Sequence, residues 1–416
     1  MLSILFIHEY FPAQFGGLAH HLAEQGHRVV FACAREEAPP ARQLTSENLR
    51  VFRYPGGTSP RVGHPYLAMS ERAVRNGQSF AREAKALMSE GFAPNIIFTH
   101  SGWAAGMFAK TLWPQARLVQ YLEWWFNAPP LYQIPDTKPS AKKDEDARSL
   151  ANNLSFLNDF QCAEMVISPT AFQAGQSPDF VRPLIEVEHD GIDCDLFRPR
   201  LPDEPPLPIH GVSDDAQLVT FTSRSLEPVR GFYDCMAAAE KLMARNPDLH
   251  VAIGGEDRAR YGPKMRRGQG HKNRMLARHK LDRDRIHFLG RPTEHEYIRL
   301  LQRSNVHLNL SYPFIPARSF FEAMACACPL VSTNIPSVIE GLGESEPALL
   351  VDPGDVNQIV ASVEVLLGNP DEAKAMGAEA RWRAKTAFST EVCHPKIEKL
   401  LADLYARPRT SEIAAQ

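Results

Sequence analysis

Apolar residues fall in short blocks along the chain, and between the blocks they recur every three or four positions. The first block, 3–7, leads into a loop over 12–17 and then a helix over 18–25, on which Leu18 and Leu22 share the buried face. Gly26 and His27 close that helix. Residues 28–33 (RVVFAC) read as the next buried strand, which completes a βαβ unit. More strands are predicted at 95–99 (NIIFT), 117–121 (RLVQY), 165–168 and 184–188.

A second series of the same kind starts at 218–222. A helix follows with Phe232, Met236, Ala239 and Met243 at helical spacing, then strands at 250–253, 285–289, 306–310 and 329–332. Residues 355–367 form an amphipathic helix with Val356, Ile359, Val360, Val363 and Leu367 on one stripe. Between the two series lies RPRLPDEPPLPIHGVSD, where repeated prolines remove backbone donors and favour stiff, extended chain. The expected architecture is α/β, two similar doubly wound lobes facing each other across an interdomain cleft. The expected divisions are a first Rossmann-like domain over 1–197, a Pro-rich connection over 198–214 and a second Rossmann-like domain over 215–385. A C-terminal helix within 386–416 packs back on the first domain and ends in a tail.

Composition narrows the classes. A chain of 416 residues suits two domains, and 44% hydrophobic with 23% charged residues is the balance of a globular protein. Lys and Arg (46) nearly match Asp and Glu (49), so no global field recruits nucleic acid, and anion binding has to be local. The N-terminal MLSILFIHEYFP lacks a basic leader and cleavage site, and no apolar run spans a bilayer; the expected location is cytoplasmic, with peripheral membrane contact as an extension. Seven cysteines include no CxxC pair and no His partners at zinc spacing, so they read as reduced packing residues, Cys326 and Cys328 included.

In doubly wound sheets ligands sit beyond the carboxyl ends of the strands. Arg224 follows strand LVTFTS and Arg230 opens the next helix, so two forked guanidinium groups converge where a diphosphate would fit. Taken singly, each is an ordinary surface charge. Gly254 and Gly255 follow VAI, where the absence of side chains lets a ligand approach the backbone. In SYPFIPARSFFEAMA the amides of Ala317, Arg318 and Ser319 are free to face phosphate or sugar. Ser319-x-x-Glu322 is also a capping box, and local spacing favours that role for Glu322.

In the first lobe His100 ends NIIFT and is followed by Trp103, placing an imidazole at the ligand edge of the sheet. Gln14, Gly16 and Gly17 occupy the first strand-to-helix loop. QFGG is not a GxGxxG fingerprint, and Ala32, Cys33 and Ala34 stand where an acidic residue would close the second strand, which argues against dinucleotide binding. Glu123, beside Trp124 and Trp125 after RLVQY, is a candidate for the ligand edge, with packing an equal reading for the tryptophans. The basic stretch 258–285 reads chiefly as a solvated loop and helix face, with an anionic acceptor or membrane as the functional alternative.

These segments resemble the family 4 retaining glycosyltransferases of the GT-B fold. The likeness rests on SRSLEPVRGFYDCMAA, RIHFLGRP, FFEAMACACPLVST and ALLVDPGD in the second half, and on FPAQFGGLAHHLAEQGHRV, THSGWAAGMFAKTLWPQARLVQYLEWWF, ISPTAFQ and HDGIDCDLF in the first. The resemblance implies that Arg224 and Arg230 hold the donor diphosphate, that Glu322 binds the nucleotide ribose, and that His100 lines the donor-sugar pocket. Arg291, in RIHFLGRP, joins the donor side. The family pattern carries a second glutamate eight positions before Glu322, where this chain has Phe314, so sugar recognition differs here.

The expectation is a metal-independent, retaining transfer from a UDP- or GDP-sugar to a hydroxyl of a saccharide, lipid-linked saccharide or protein, with no cofactor besides the donor. Two alternatives differ in class. A non-catalytic nucleotide-sugar binder is motivated by Phe314, and an NAD-dependent oxidoreductase by the doubly wound first lobe. Calorimetric titration with NAD against UDP- and GDP-sugars separates them.

Overall fold

The computed structural model of the protein describes residues 1–36, 44–57, 63–103, 105–129, 131, 139–257 and 270–408. The chain divides into two compact units. The first comprises Met1–Pro130, Lys138–Gly191 and Thr390–Gln416, and the second is built on Ile192–Ser389.

The first unit opens with β1 (Ser3–Phe11), α1 (Gly16–Glu24), β2 (Arg28–Glu36), β3 (Leu49–Arg53) and α2 (Ala68–Ser89). Next come β4 (Ile96–His100), α3 (Ala105–Leu112), β5 (Arg117–Tyr121), α4 (Pro139–Asn152), α5 (Leu154–Cys162), β6 (Met165–Ser168), α6 (Ala171–Gly175) and β7 (Ile185–Val187). Its seven strands run in the order β3-β2-β1-β4-β5-β6-β7, paired in parallel. Alternate residues of β1 enter opposite cores: Ile4 and Phe6 pack with Phe15, Phe31 and Phe98, whereas Leu5 and Ile7 pack with Phe80, Leu118 and Trp113. A strand buried on both faces has no polar side, which is why it reads as a continuous apolar run.

The second unit runs β8 (Gln217–Ser225), α7 (Phe232–Arg245), β9 (Leu249–Glu256), α8 (His271–Arg278), β10 (Ile286–Gly290), α9 (Glu294–Arg303) and β11 (Val306–Asn309). It continues through α10 (Arg318–Ala325), β12 (Leu330–Thr333), α11 (Pro336–Leu342), β13 (Leu349–Val351), α12 (Val356–Gly368) and α13 (Pro370–Ala387). Its six strands run in the order β10-β9-β8-β11-β12-β13, which repeats that of the first sheet without its seventh strand. After α13 the chain returns to the first unit as α14 (Thr390–Ala406), whose Ile397, Leu401 and Leu404 join the core of Phe6 and Leu18.

Three features depart from the expected elements. Strand β2 extends to Glu36 because its parallel pairing with β1 continues to Phe11, so an acidic residue does close it. Strand β3 and the 22-residue α2 were not predicted. The buried face of α2 is Ala73, Asn76, Gly77, Phe80, Ala84 and Leu87, and its small and polar members leave few large apolar residues to mark that face. The Pro-rich segment after Phe197 is anchored within the second unit: Leu207, Ile209 and Val212 pack against Leu218, Ala252 and Leu300. Arg299 donates to the carbonyls of Pro205 and Pro206.

Candidate functional site

In each sheet the strand order reverses at one place, between β1 and β4 and between β8 and β11. Loops at the carboxyl ends of those strands diverge and leave room for a ligand. In the second unit β8 carries Arg224 at its end, exposed and with no hydrogen bond or ion pair among the described residues. Arg230 closes a short 3-10 turn, Pro228–Arg230, before α7. It reaches across to the loop after β11, donating to the Ile315 carbonyl at 3.0 Å and lying 5.1 Å above the Phe314 ring. The Tyr312 amide donates to the Val229 carbonyl at 2.9 Å, which draws the same two loops together.

Backbone shape makes this approach possible. Gly231 has φ +79°, and a Cβ there would lie 2.1 Å from the Leu310 carbonyl oxygen. Only glycine fits such a site without strain. Helix α7 consequently starts on Gly231 and α10 on Ala317, neither with a side chain capping its first amides. Helices α6, α9 and α12, by contrast, are capped by Thr170, Thr293 and Asp355. Open N-terminal amides and two guanidinium groups at one switch point are the chemistry that an anion site requires.

The capping-box reading of Glu322 is overturned. The N-cap of α10 is Ala317, and Ser319 lies inside the helix, so Glu322 has no Ser319 cap to reciprocate. The Glu322 carboxylate accepts from Tyr297 Oη at 2.9 Å and from Arg318 Nε at 3.2 Å. Burial raises its pKa above the usual carboxylate range, against the pull of Arg318. Arg318 itself is exposed, and Ser319 is half-buried. Phe314 is buried, its ring facing Arg230. Arg291, after β10, is exposed and 3.7 Å from Glu256. A Cβ on Gly254 would make only ordinary contact with Thr222, at 3.4 Å, whereas on Gly255 it would meet the Ser223 carbonyl at 2.4 Å.

In the first unit His100 ends β4 with 8% of its surface exposed. Its Nδ1 donates to the Ser101 carbonyl at 2.9 Å, so the neutral ring offers Nε2, which lies 3.6 Å from Glu123 Oε2. Trp103 stacks on it at 4.7 Å, and His8, at 6.0 Å, completes an aromatic group with Phe15. The loop is held from below. Asp159 Oδ2 accepts from the Gly102 amide at 3.1 Å, Ser155 Oγ donates to the Gly102 carbonyl at 3.1 Å, and the Phe156 ring fills the place of a Gly102 Cβ. Gly16 and Gly17 are the first residues of α1, after Gln14 in the preceding turn. A Cβ on Gly16 would meet Pro12 at 2.3 Å, and one on Gly17 would lie 3.3 Å from His394. Trp124 and Trp125 are buried, the latter stacked on Phe160.

Arg230, Phe314, Ala317, Arg318, Ser319 and Glu322 thus gather with Arg224 at the second switch point. Gln14, Gly16, Gly17, His100, Trp103 and Glu123 lie at the carboxyl edge of the first sheet. Residues 258–269 of the basic stretch, and residues 409–416 of the expected tail, lie outside the described residues. Sequence reasoning missed Tyr297, 25 residues from its partner, along with His8 and the buried supports Asp159 and Glu227. Only Glu227 had a local signal: its carboxylate accepts from Ser225, two positions earlier.

Comparison with known proteins agrees with this architecture. Glycosyl transferase family 4 group matches residues 25–197, and Glycosyl transferases group 1 matches residues 208–383. A glycogen synthase of Mycobacterium tuberculosis is 24% identical over 411 residues, spanning 91% of this chain and 89% of the relative. A D-inositol 3-phosphate glycosyltransferase of Mycolicibacterium smegmatis is 24% identical over 54% of this chain and 50% of its own. Among solved structures, sucrose-phosphate synthase from Thermosynechococcus elongatus superposes with a TM-score of 0.70 at 18% identity, covering 98% of this chain and all (100%) of that one. Anabaena HepE in complex with UDP and glucose gives 0.66 at 14% identity, over 97% of this chain and 100% of that one. The chain belongs to the group 1 glycosyltransferases of family 4 type, with the GT-B fold.

Proposed function

We propose that this glycosyltransferase takes its glycosyl unit from a UDP- or GDP-sugar and passes it, with retention of anomeric configuration, to a hydroxyl of a saccharide, lipid-linked saccharide or protein. The observation that carries the reading is the arrangement at the second switch point, where free Arg224, anchored Arg230 and the open start of α10 meet. The HepE structures, which hold UDP and UDP-glucose, support a nucleotide-sugar donor.

In this reading the bond from the anomeric carbon to the diphosphate breaks, and a bond to the acceptor oxygen forms on the same face. The acceptor proton passes to the departing phosphate. Charge grows on the diphosphate as the bond lengthens, so fixed guanidinium groups and helix amides stabilise the transition state more than the bound donor. They supply the electrostatic role a metal would otherwise fill. Glu322 takes the ribose hydroxyls, and His100 with Trp103 steadies the transferred sugar. Among the described residues no helix is long and apolar enough to cross a membrane. The proposal places the enzyme in the cytoplasm, with peripheral contact where the acceptor is lipid-linked.

A donor panel with glucose, glycan and lipid-linked acceptors, monitored for release of UDP or GDP, tests the reading. Transfer with the donor's anomeric configuration kept, unaffected by a chelator, is the expected result. An inverted product, or activity lost to the chelator and restored by manganese, would overturn the corresponding part. Absence of transfer and of nucleotide binding would overturn the whole.

A further inference from the structure

Glu322 sits on the second turn of α10 with its side chain 11% exposed, so one edge of the carboxylate is reachable while the rest is enclosed. A buried carboxylate keeps its charge only if donors satisfy it, and it presents a defined edge only if those donors are rigid. The two donors here differ in that respect. Arg318 is on the same helix, a long side chain with 42% of its surface exposed. Tyr297 comes from α9, 25 residues earlier, and is half-buried, packing edge-on against Phe197 at 6.1 Å.

Helix α9 is well anchored. Thr293 and Glu296 form a reciprocal capping box at its start, and the Tyr297 amide donates to the Thr293 carbonyl at 2.9 Å. Farther along, Arg299 and Gln302 hold the Pro-rich segment through the carbonyls of Pro205, Pro206 and Arg198. Tyr297 is therefore fixed at both ends, by its helix and by its 2.9 Å bond to Glu322 Oε2.

We infer that Tyr297 is the positioning residue of the nucleotide site: its hydroxyl holds one Glu322 oxygen so that the other is aimed at the ribose diol of the donor. Arg318, which shares that second oxygen, is the partner the ribose displaces. The inference rests on the proposed role of Glu322 and adds a residue that touches no substrate.

The test measures affinities of UDP and GDP, and of their 2′,3′-dideoxy counterparts, for the full chain and three variants. Tyr297→Phe keeps the ring and removes one donor to a charged acceptor, so the better-bound nucleotide should weaken about 10-fold. Its dideoxy counterpart, which has no diol to place, should bind the variant and the wild type alike. Arg318→Leu should leave the natural nucleotide bound as tightly or more tightly. Glu322→Gln should lose the preference for the diol altogether. Equal weakening of both ligands in Tyr297→Phe would mean a general structural role and overturn the inference, as would no weakening at all. Failure of the wild type to bind any of the four nucleotides would overturn the underlying site reading instead, and Tyr297 with it.

Discussion

The two switch points share a strand order and differ in nearly everything else. At the first, between β1 and β4, His100 is buried, stacked on Trp103 and braced by Asp159, Ser155 and Phe156 through Gly102. At the second, between β8 and β11, Arg224 is exposed and without a partner among the described residues, and Arg230 bridges two loops. A packed imidazole and indole suit recognition by shape and hydrogen bonds. One exposed guanidinium without a partner among the described residues, an anchored second one and open helix amides suit an anion that brings its own charge. One sheet topology thus supports a packed, aromatic edge and a cationic one, and the difference lies in the loops.

The largest expected effect tests the charged side. Arg224→Ala should lower turnover about 10²- to 10³-fold, in the range of losing one preorganised charge-stabilising donor. Because Arg224 has no partner among the described residues, its melting temperature should stay at the wild-type value. Arg230→Ala should lose as much activity and also melt earlier, since the Ile315 carbonyl and Phe314 ring lose their partner. Equal melting behaviour in the two variants would erase the contrast drawn between them.

His100→Ala probes the other side. Loss of a group that orients the sugar should lower turnover about 10- to 100-fold, with UDP or GDP affinity unchanged. A matching loss of nucleotide affinity would show that His100 does not act on the transferred sugar alone.

A glycine pair sharpens the comparison in stability. Gly102→Ala forces a side chain onto φ +84° and into the Phe156 ring, 2.6 Å from the new Cβ. Strain of this kind costs roughly 1–3 kcal/mol, readable by denaturant unfolding. Gly254→Ala meets only Thr222 at 3.4 Å and should be nearly neutral in stability. If a ligand approaches that backbone, the same variant weakens nucleotide binding.

The smallest effect concerns pH. Burial raises the pKa of Glu322, so the folded state holds that proton more tightly than the unfolded chain. Its contribution therefore favours folding at low pH and is lost as pH rises from the usual carboxylate range through the higher folded value. Glu322→Gln has no such titration. Melting temperatures at pH 5 and pH 8 should show the variant gaining on the wild type at the higher pH, a stability gain bought by a weakened nucleotide site.

Most of the strands and the position of His100 at the end of β4 were legible from local pattern, because parallel strands covered on both faces are short apolar runs. Helix α2 was not, because Ala73, Gly77 and Asn76 bury a face without being strongly hydrophobic. Arg224 and Arg230 stood out because position after a strand is a one-dimensional property. Glu322 did not, since Ser319-x-x-Glu322 has the spacing of a cap, and only the observed start of α10 at Ala317 removes that role.

Sequence by itself determined the two βα series, the family resemblance and the arginines at and just after the end of β8, all of which depend on neighbours close along the chain. The tertiary structure decided what those residues touch. It brought Tyr297 to Glu322, Asp159 to Gly102 and Phe314 beneath Arg230. Hydrogen bonds and ring contacts between residues 25 to 84 positions apart leave no periodic trace in the order of residues. They exist only once parallel pairing has set the strands side by side.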